Sequence, residues 1–453
     1  MTRLDQLKAP AWSRAILART QSALSRSDTL RRFVSLASWT LISFALEKAA
    51  MIVVVFVLAR VLGAEDYGRL TLAQGLVNSL QIFVILGMGS FLGRYIPAML
   101  EESVQRAAQI VSLCAVVVLG STIAFTIAAL VAGHSVATSI LAVPVVSPLP
   151  HWILAWVILS VATNLLLTVM LSFEKGRILG LVSLLAASLS VTVVPALAVN
   201  WGLQGAVIGL VLIEAAKLVA SATLYWRLLN DAGVRVLTPP NRSDLPLLFS
   251  FGLPVFLASA LWAPTIWLAQ FIIKTLAPDG LVAVGVFGLT NTVLGAVILV
   301  SSLTNRAALP ILSSLQARGA FVELRRTSWL MTLAQVGAAS AIALPLAIAA
   351  PFVMSMAGPD FAARWPVLLI MILTGIMIAG QTSLGNYLLV QDRTYFLLMT
   401  ILPWAGVLIG AAVLYASHGA YALAWGLLAA SIIRTGLFYW GWLPRPANRS
   451  REA

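Results

Sequence analysis

Apolar residues in this chain come in long unbroken runs rather than in the alternation of half-buried strands or the narrow stripes of soluble helices. A bilayer-crossing helix needs about 20 apolar residues. Twelve such runs can be drawn, at 34–59, 70–92, 109–133, 151–173, 178–199, 203–226, 247–273, 281–303, 327–350, 365–389, 395–416 and 420–442. A membrane β-barrel would instead show segments of about ten residues alternating in polarity. The pattern predicts an all-α polytopic membrane protein with twelve transmembrane helices.

The pattern also repeats. Gly68 in "DYG" and Gly285 in "AVG" are related by a shift of 217, as are Gly202 and Gly419, and Lys217 and Arg434. Arg177 and Arg393 are 216 apart, and Pro97 and Pro310 drift to 213. The loop from about 227 to 246 carries Pro239, Pro240, Asn241, Arg242, Ser243 and Asp244, chemistry that cannot continue a helix. It divides six spans from six. Six is even, so both halves enter the membrane from one side as a parallel repeat, and a substrate path is expected between them. The expected organisation is a basic N-terminal segment (1–33), an N-lobe (34–227), a linker (228–246), a C-lobe (247–442) and a tail (443–453).

Composition agrees with the class. Only 10% of residues are charged, and the mean hydropathy is +0.97, against about 25% charged in soluble domains. A net charge of +13 suggests nucleic-acid binding until its distribution is drawn. With both termini cytoplasmic, 22 of the 29 Lys and Arg fall on the inner side, 4 outside and 3 within spans. That is the positive-inside bias of a membrane protein, so no nucleic-acid partner is expected. Cys114 is the only cysteine and the three histidines lack ligand spacing, so neither a disulfide, a metal nor a cofactor is expected. No cleavable signal is visible, and the segment 1–33 reads equally as an amphipathic helix on the inner leaflet or a disordered basic tail. The outer loops are short; the longest, about 133–150, has no acidic residue. Catalytic carboxylates and a sizeable extramembrane domain are both missing, which argues against an enzyme.

Charges inside spans are costly, about 2.5–3.5 kcal/mol each at a helix centre, and mark candidate chemistry. Glu47 continues a polar stripe with Ser35, Trp39 and Ser43 and is the candidate site for a coupling cation. Lys48 suits an anionic headgroup, or an ion pair to another span. Glu214 and Lys217 lie three apart on one face and are expected to pair structurally. Arg434 takes the Lys217 position in the second half, where Ser431 replaces Glu214, and either faces the interior or snorkels to the interface. Gln74, Asn78 and Gln81 form a stripe on span 2; span 7 offers Trp262, Trp267 and Gln270, and span 8 Thr290 and Asn291. Spans 1, 2, 7 and 8 line a cleft if the halves meet symmetrically. Arg94 and Arg306, before prolines at the ends of spans 2 and 8, suit phosphate capture or simple anchoring. The candidate substrate-binding set is Lys48, Arg94, Arg306, Gln74, Asn78, Gln270 and Asn291.

The stretch 58–97, "LARVLGAEDYGRLTLAQGLVNSLQIFVILGMGSFLGRYIP", resembles the first two spans of the polysaccharide-transporter family, the Wzx-type flippases of the MOP superfamily. Leu62, Gly63, Glu65, Tyr67, Gly68, Arg94 and Pro97 carry the likeness, with weaker echoes at 357–368 and 418–434. The resemblance implies a V-shaped two-lobed bundle in the bacterial inner membrane, opening alternately to either side. It implies a polyprenyl-diphosphate-linked oligosaccharide as substrate, its diphosphate held by Lys48, Arg94 and Arg306. Membrane lipids and other polysaccharide-assembly membrane proteins are the expected partners. A cation-coupled multidrug exporter of the same superfamily is the alternative, with Glu47 nearly alone as its acidic residue, and a non-transporting scaffold in a glycan-assembly complex is a third reading.

Overall fold

The computed structural model describes residues 28–144, 146–173, 176–234, 239, 244–246, 248, 256, 260–391 and 393–443. The basic segment up to residue 27, most of the central loop with the start of the seventh span, and the tail after 443 lie outside these residues. Within them every regular element is helical: α1 (Asp28–Ile85), α2 (Met88–Glu102), α3 (Val104–Leu141), α4 (Leu149–Ser172), α5 (Gly176–Asp231), α6 (Trp262–Leu276), α7 (Gly280–Val297), α8 (Leu299–Ala317), α9 (Phe321–Ile348), α10 (Ala350–Met356), α11 (Pro359–Ala362), α12 (Trp365–Val390), α13 (Thr394–Leu414) and α14 (Ala420–Trp442). Eight helices among the described residues are long and apolar enough to cross a bilayer. On α3, Val116, Leu119, Ile123, Ile127 and Leu130 form an exposed apolar stripe at helical spacing, a surface suited to lipid. The chain is a multi-pass membrane protein.

Glycine sets the corners. α1 holds the first two spans, folded back at Gly63, whose φ of 73° and ψ of 173° interrupt the helix. Gly202 (φ 56°, ψ −138°) divides α5, and Gly419 (φ 55°, ψ −122°) joins α13 to α14. A side chain is excluded from this backbone region. The last two are related by the repeat shift and nearly identical in conformation, so the repeat seen in sequence is a repeat of backbone. Packing within each half repeats too: a Cβ on Gly209 would lie 3.0 Å from Val194 Cα, and one on Gly426 2.7 Å from Ala411 Cβ, again pairs related by the same shift.

The run at 70–92 is not one helix. Leu86 (φ 52°) and Gly87 (φ 75°) are left-handed and separate α1 from α2. Leu86 in that region costs about 1–2 kcal/mol. The Val84 carbonyl near the break accepts a hydrogen bond from Ser121 Oγ on α3, at 2.7 Å. The eighth span is interrupted too, between α7 and α8 at Ile298, but with right-handed backbone (φ −83°, ψ −5°). Helix α3 also continues to Leu141, well into what the apolar pattern assigned to a loop.

The halves meet at a reciprocal contact. A Cβ built on Gly68 would lie 1.9 Å from the Leu281 carbonyl oxygen, and one on Gly285 would lie 2.3 Å from that of Ala64. Leu281 and Gly285 are the repeat equivalents of Ala64 and Gly68, so a pseudo-twofold axis passes between α1 and α7. Around it, Tyr67 meets Phe361 edge-on at 6.1 Å, and Lys274 Nζ donates to the Ser139 carbonyl at 2.9 Å. Together these contacts join the halves at one end of the molecule.

Candidate functional site

Below that contact lies a cavity of about 650 Å³ between the halves, within the usual range for ligand sites, about 300–1,000 Å³. The first arm of α1 contributes Lys48, Met51 and Ile52, and the second arm Tyr67, Thr71, Gln74, Gly75 and Asn78. α6 contributes Trp262, Ile266, Trp267 and Gln270, and α7 Gly288, Asn291 and Thr292. The spacings are 4, 3 and 4 from Tyr67 to Asn78, which puts those residues on one helical face. Spans 1, 2, 7 and 8 thus wall the cavity.

Lys48, Gln74, Asn78, Gln270 and Asn291 are all brought together here. Arg94 and Arg306 sit on α2 and α8, and their side chains lie outside what the structure describes. Glu47 is half-buried and does not line the cavity, being about 100° round the helix from Lys48. Gln81 bonds sideways instead: its Oε1 accepts from Asn164 Nδ2 on α4 at 3.1 Å, the polar glue expected between membrane helices. Thr290 Oγ1 donates to its own helix, to the Val286 carbonyl at 3.0 Å.

Two atoms in the cavity wall are unsatisfied. Gln270 Oε1 and Trp267 Nε1 are buried with no hydrogen-bond partner. They lie within a turn of each other, pressed on Gly75, whose Cβ would come 3.0 Å from Trp267 Cδ1 and 3.1 Å from Gln270 Oε1. One is an acceptor and the other a donor. Leaving such groups unpaired costs about 1–3 kcal/mol each. The polar part of the wall is amides, hydroxyls and indoles with one cation, Lys48, and no carboxylate among its lining residues.

Residues 34–316 match the family model described as polysaccharide biosynthesis protein. The chain belongs to that family. The family resemblance carried by 58–97 falls inside the matched segment. Comparison with curated protein sequences returns no match. Among solved structures, the fold is similar to an inward-facing conformation of a multidrug resistance MATE family transporter of the MOP superfamily, with a TM-score of 0.69, 15% identity, and 89% of this chain and 97% of that one covered. It is also similar to an outward-facing conformation of such a transporter (0.62, 16%, 92% and 96%). A Vibrio cholerae MATE transporter in the bent form aligns at 0.60, 14%, 93% and 99%. The architecture is the two-lobed MOP bundle.

This member of the polysaccharide biosynthesis family treats its repeat-related cations Lys217 and Arg434 differently. In the first half Lys217 Nζ pairs with Glu214 Oε1 on the same helix at 2.8 Å. The second half replaces Ala45, Ala187, Glu214, Lys217 and Ser221 by Trp262, Trp404, Ser431, Arg434 and Phe438. There the fully buried Trp404 stacks on Trp262 at 4.2 Å and 9°. Arg434 lies 5.1 Å from the Trp262 ring centre and 5.0 Å from that of Phe438. Aromatic rings do for Arg434 what a carboxylate does for Lys217, and they fix Trp262 in the cavity wall. Tyr67, Thr71 and Thr292 also line the cavity without having been singled out for it. Their signal was available: Tyr67 and Thr71 share the face of Gln74 and Asn78, and Thr292 is the repeat partner of Gly75.

Proposed function

We propose that this protein is a flippase that carries polyprenyl-diphosphate-linked oligosaccharide repeat units across the bacterial inner membrane by alternating access, for surface or exopolysaccharide synthesis. Family membership supports a place in polysaccharide assembly. The MOP fold supports transport through a cleft between two halves rather than catalysis, since its solved neighbours are transporters. The Lys and Arg distribution supports cytoplasmic termini, so the contact at Gly68 and Gly285 is on the outer side and the cavity serves the inner one.

The observation that carries the reading is the composition of the cavity lining: the amides Gln74, Asn78, Gln270 and Asn291 and the indoles Trp262 and Trp267, with Lys48 and no carboxylate. Sugars present dense arrays of hydroxyls on a largely apolar ring, and neutral amides beside indoles match both features. Lys48 gives the same cavity one positive charge for the diphosphate. An exporter of cationic drugs wants carboxylates there, and the described lining residues include none.

Deletion of the gene tests this. The expected result is loss of surface polysaccharide with lipid-linked repeat units accumulating on the cytoplasmic leaflet, restored by wild type but not by Lys48→Ala. Unchanged polysaccharide with new sensitivity to cationic dyes would overturn the reading in favour of drug export.

A further inference from the structure

At the end of the C-lobe opposite the Gly68 contact, the start of α9 and the end of α14 form a recess of about 240 Å³ lined by Val322, Arg325, Arg326, Trp329 and Trp442. The Arg325 guanidinium lies 4.3 Å from the Trp442 ring centre. That ring is held in turn: its Nε1 donates to Ser328 Oγ at 3.1 Å, and it stacks on Tyr439 at 5.7 Å. The ion pairs formed among the described residues involve neither Arg325 nor Arg326. Two cations thus share a recess whose aromatic floor is rigid.

The recess shares Trp329 as a wall with an apolar groove of about 350 Å³ between α9, α12 and α14. Trp329, Val336, Ile376, Met377, Leu384 and Tyr439 line that groove. Outside it, Leu330 and Leu333 are exposed at i+4 and i+7 from Arg326, on the same helical face. Positive charge at the membrane edge thus borders an apolar groove running toward the bilayer centre. We propose that this is a binding site for an anionic phospholipid, its phosphate held by Arg325 and Arg326 and one acyl chain lying in the groove. Guanidinium forks match phosphate oxygens two at a time, and basic pockets between spans on the cytoplasmic side suit lipid headgroups. Free phosphate would account for the arginines but not for the groove.

The test measures binding of phosphatidylglycerol, phosphatidylcholine and inorganic phosphate to the full chain purified in detergent, by native mass spectrometry. Phosphatidylglycerol should bind at least tenfold tighter than phosphatidylcholine, and Arg326→Gln should erase most of that preference. Arg326 is exposed, so this variant should leave the fold intact. Gly436→Phe should weaken both lipids by filling the groove, because a Cβ on Gly436 meets nothing within 4 Å. Equal binding of the two lipids, or a preference untouched by Arg326→Gln, overturns the proposal. Displacement of phosphatidylglycerol by millimolar phosphate, with Gly436→Phe inert, would reduce it to a phosphate site and overturn the lipid assignment.

Discussion

Adding one methyl group at Gly68 should unseal the cavity. In Gly68→Ala the new Cβ falls 1.9 Å from the Leu281 carbonyl oxygen, whereas carbon and oxygen rest at about 3.3 Å. The obstacle is backbone, so no rotamer change relieves it, and α1 must move from α7 by about 1.4 Å at their crossing. Overpacking of this kind costs about 1–3 kcal/mol. The contact exists only where the halves close at this end, so the cost falls on that state alone and shifts the population by about 5–150-fold. The assay places a thiol in the cavity by Asn291→Cys in a Cys114→Ala background and follows its modification by a membrane-impermeant maleimide added at the Gly68 face. Gly68→Ala should speed labelling by that factor. Gly285→Ala, with 2.3 Å to the Ala64 oxygen, should act in the same direction but less. Unchanged labelling in a normally inserted Gly68→Ala protein would refute the argument that this glycine pair seals the cavity.

Three further outcomes follow from other contacts. Gln270→Met keeps the volume and removes the unsatisfied acceptor, so it should raise the melting temperature slightly while cutting glycolipid transport by tenfold or more; transport at wild-type rate would dissociate Gln270 from substrate. Glu214→Gln leaves Lys217 without its anion and should destabilise the folded protein by about 1–3 kcal/mol, read as lower yield and melting temperature, whereas the same transport defect at full stability would make the pair functional. Trp404→Ala opens a void beneath Trp262 and should cost about 3–5 kcal/mol; a conservative Trp404→Phe should keep the fold and lose transport in proportion to the freedom that Trp262 gains, so full activity of that variant would remove Trp262 from the wall's working parts.

Much of this architecture is written in the long apolar runs, because a bilayer demands long helices and leaves few alternatives. The repeat spacing was legible from glycines alone, since Gly202 and Gly419 occupy a backbone region that excludes side chains. The breaks were less so. Nothing in the apolar run "LQIFVILGMGSFL" shows that Leu86 turns left-handed, because hydropathy is blind to φ. The amides of span 2 could be read as a stripe, but which of them reach the cavity depends on partners far away in sequence: Asn164, on a different span, draws Gln81 aside and leaves Gln74 and Asn78. The neighbours Glu47 and Lys48 were separable only by helix rotation, which the structure supplies. Arg434 needed the fold most of all, for Phe438 lies one turn away on its own helix but Trp262 comes from a distant one.

The most direct test of the account is a reconstitution. Liposomes containing only this protein, loaded with a fluorescent polyprenyl-diphosphate-linked oligosaccharide in the outer leaflet, report its movement as protection from an external glycan-modifying reagent. Protection should require the protein, fall sharply with Lys48→Ala and Gln270→Met, and be insensitive to cationic dyes. Proteoliposomes that leave the glycolipid where it was added while moving the dyes would contradict it.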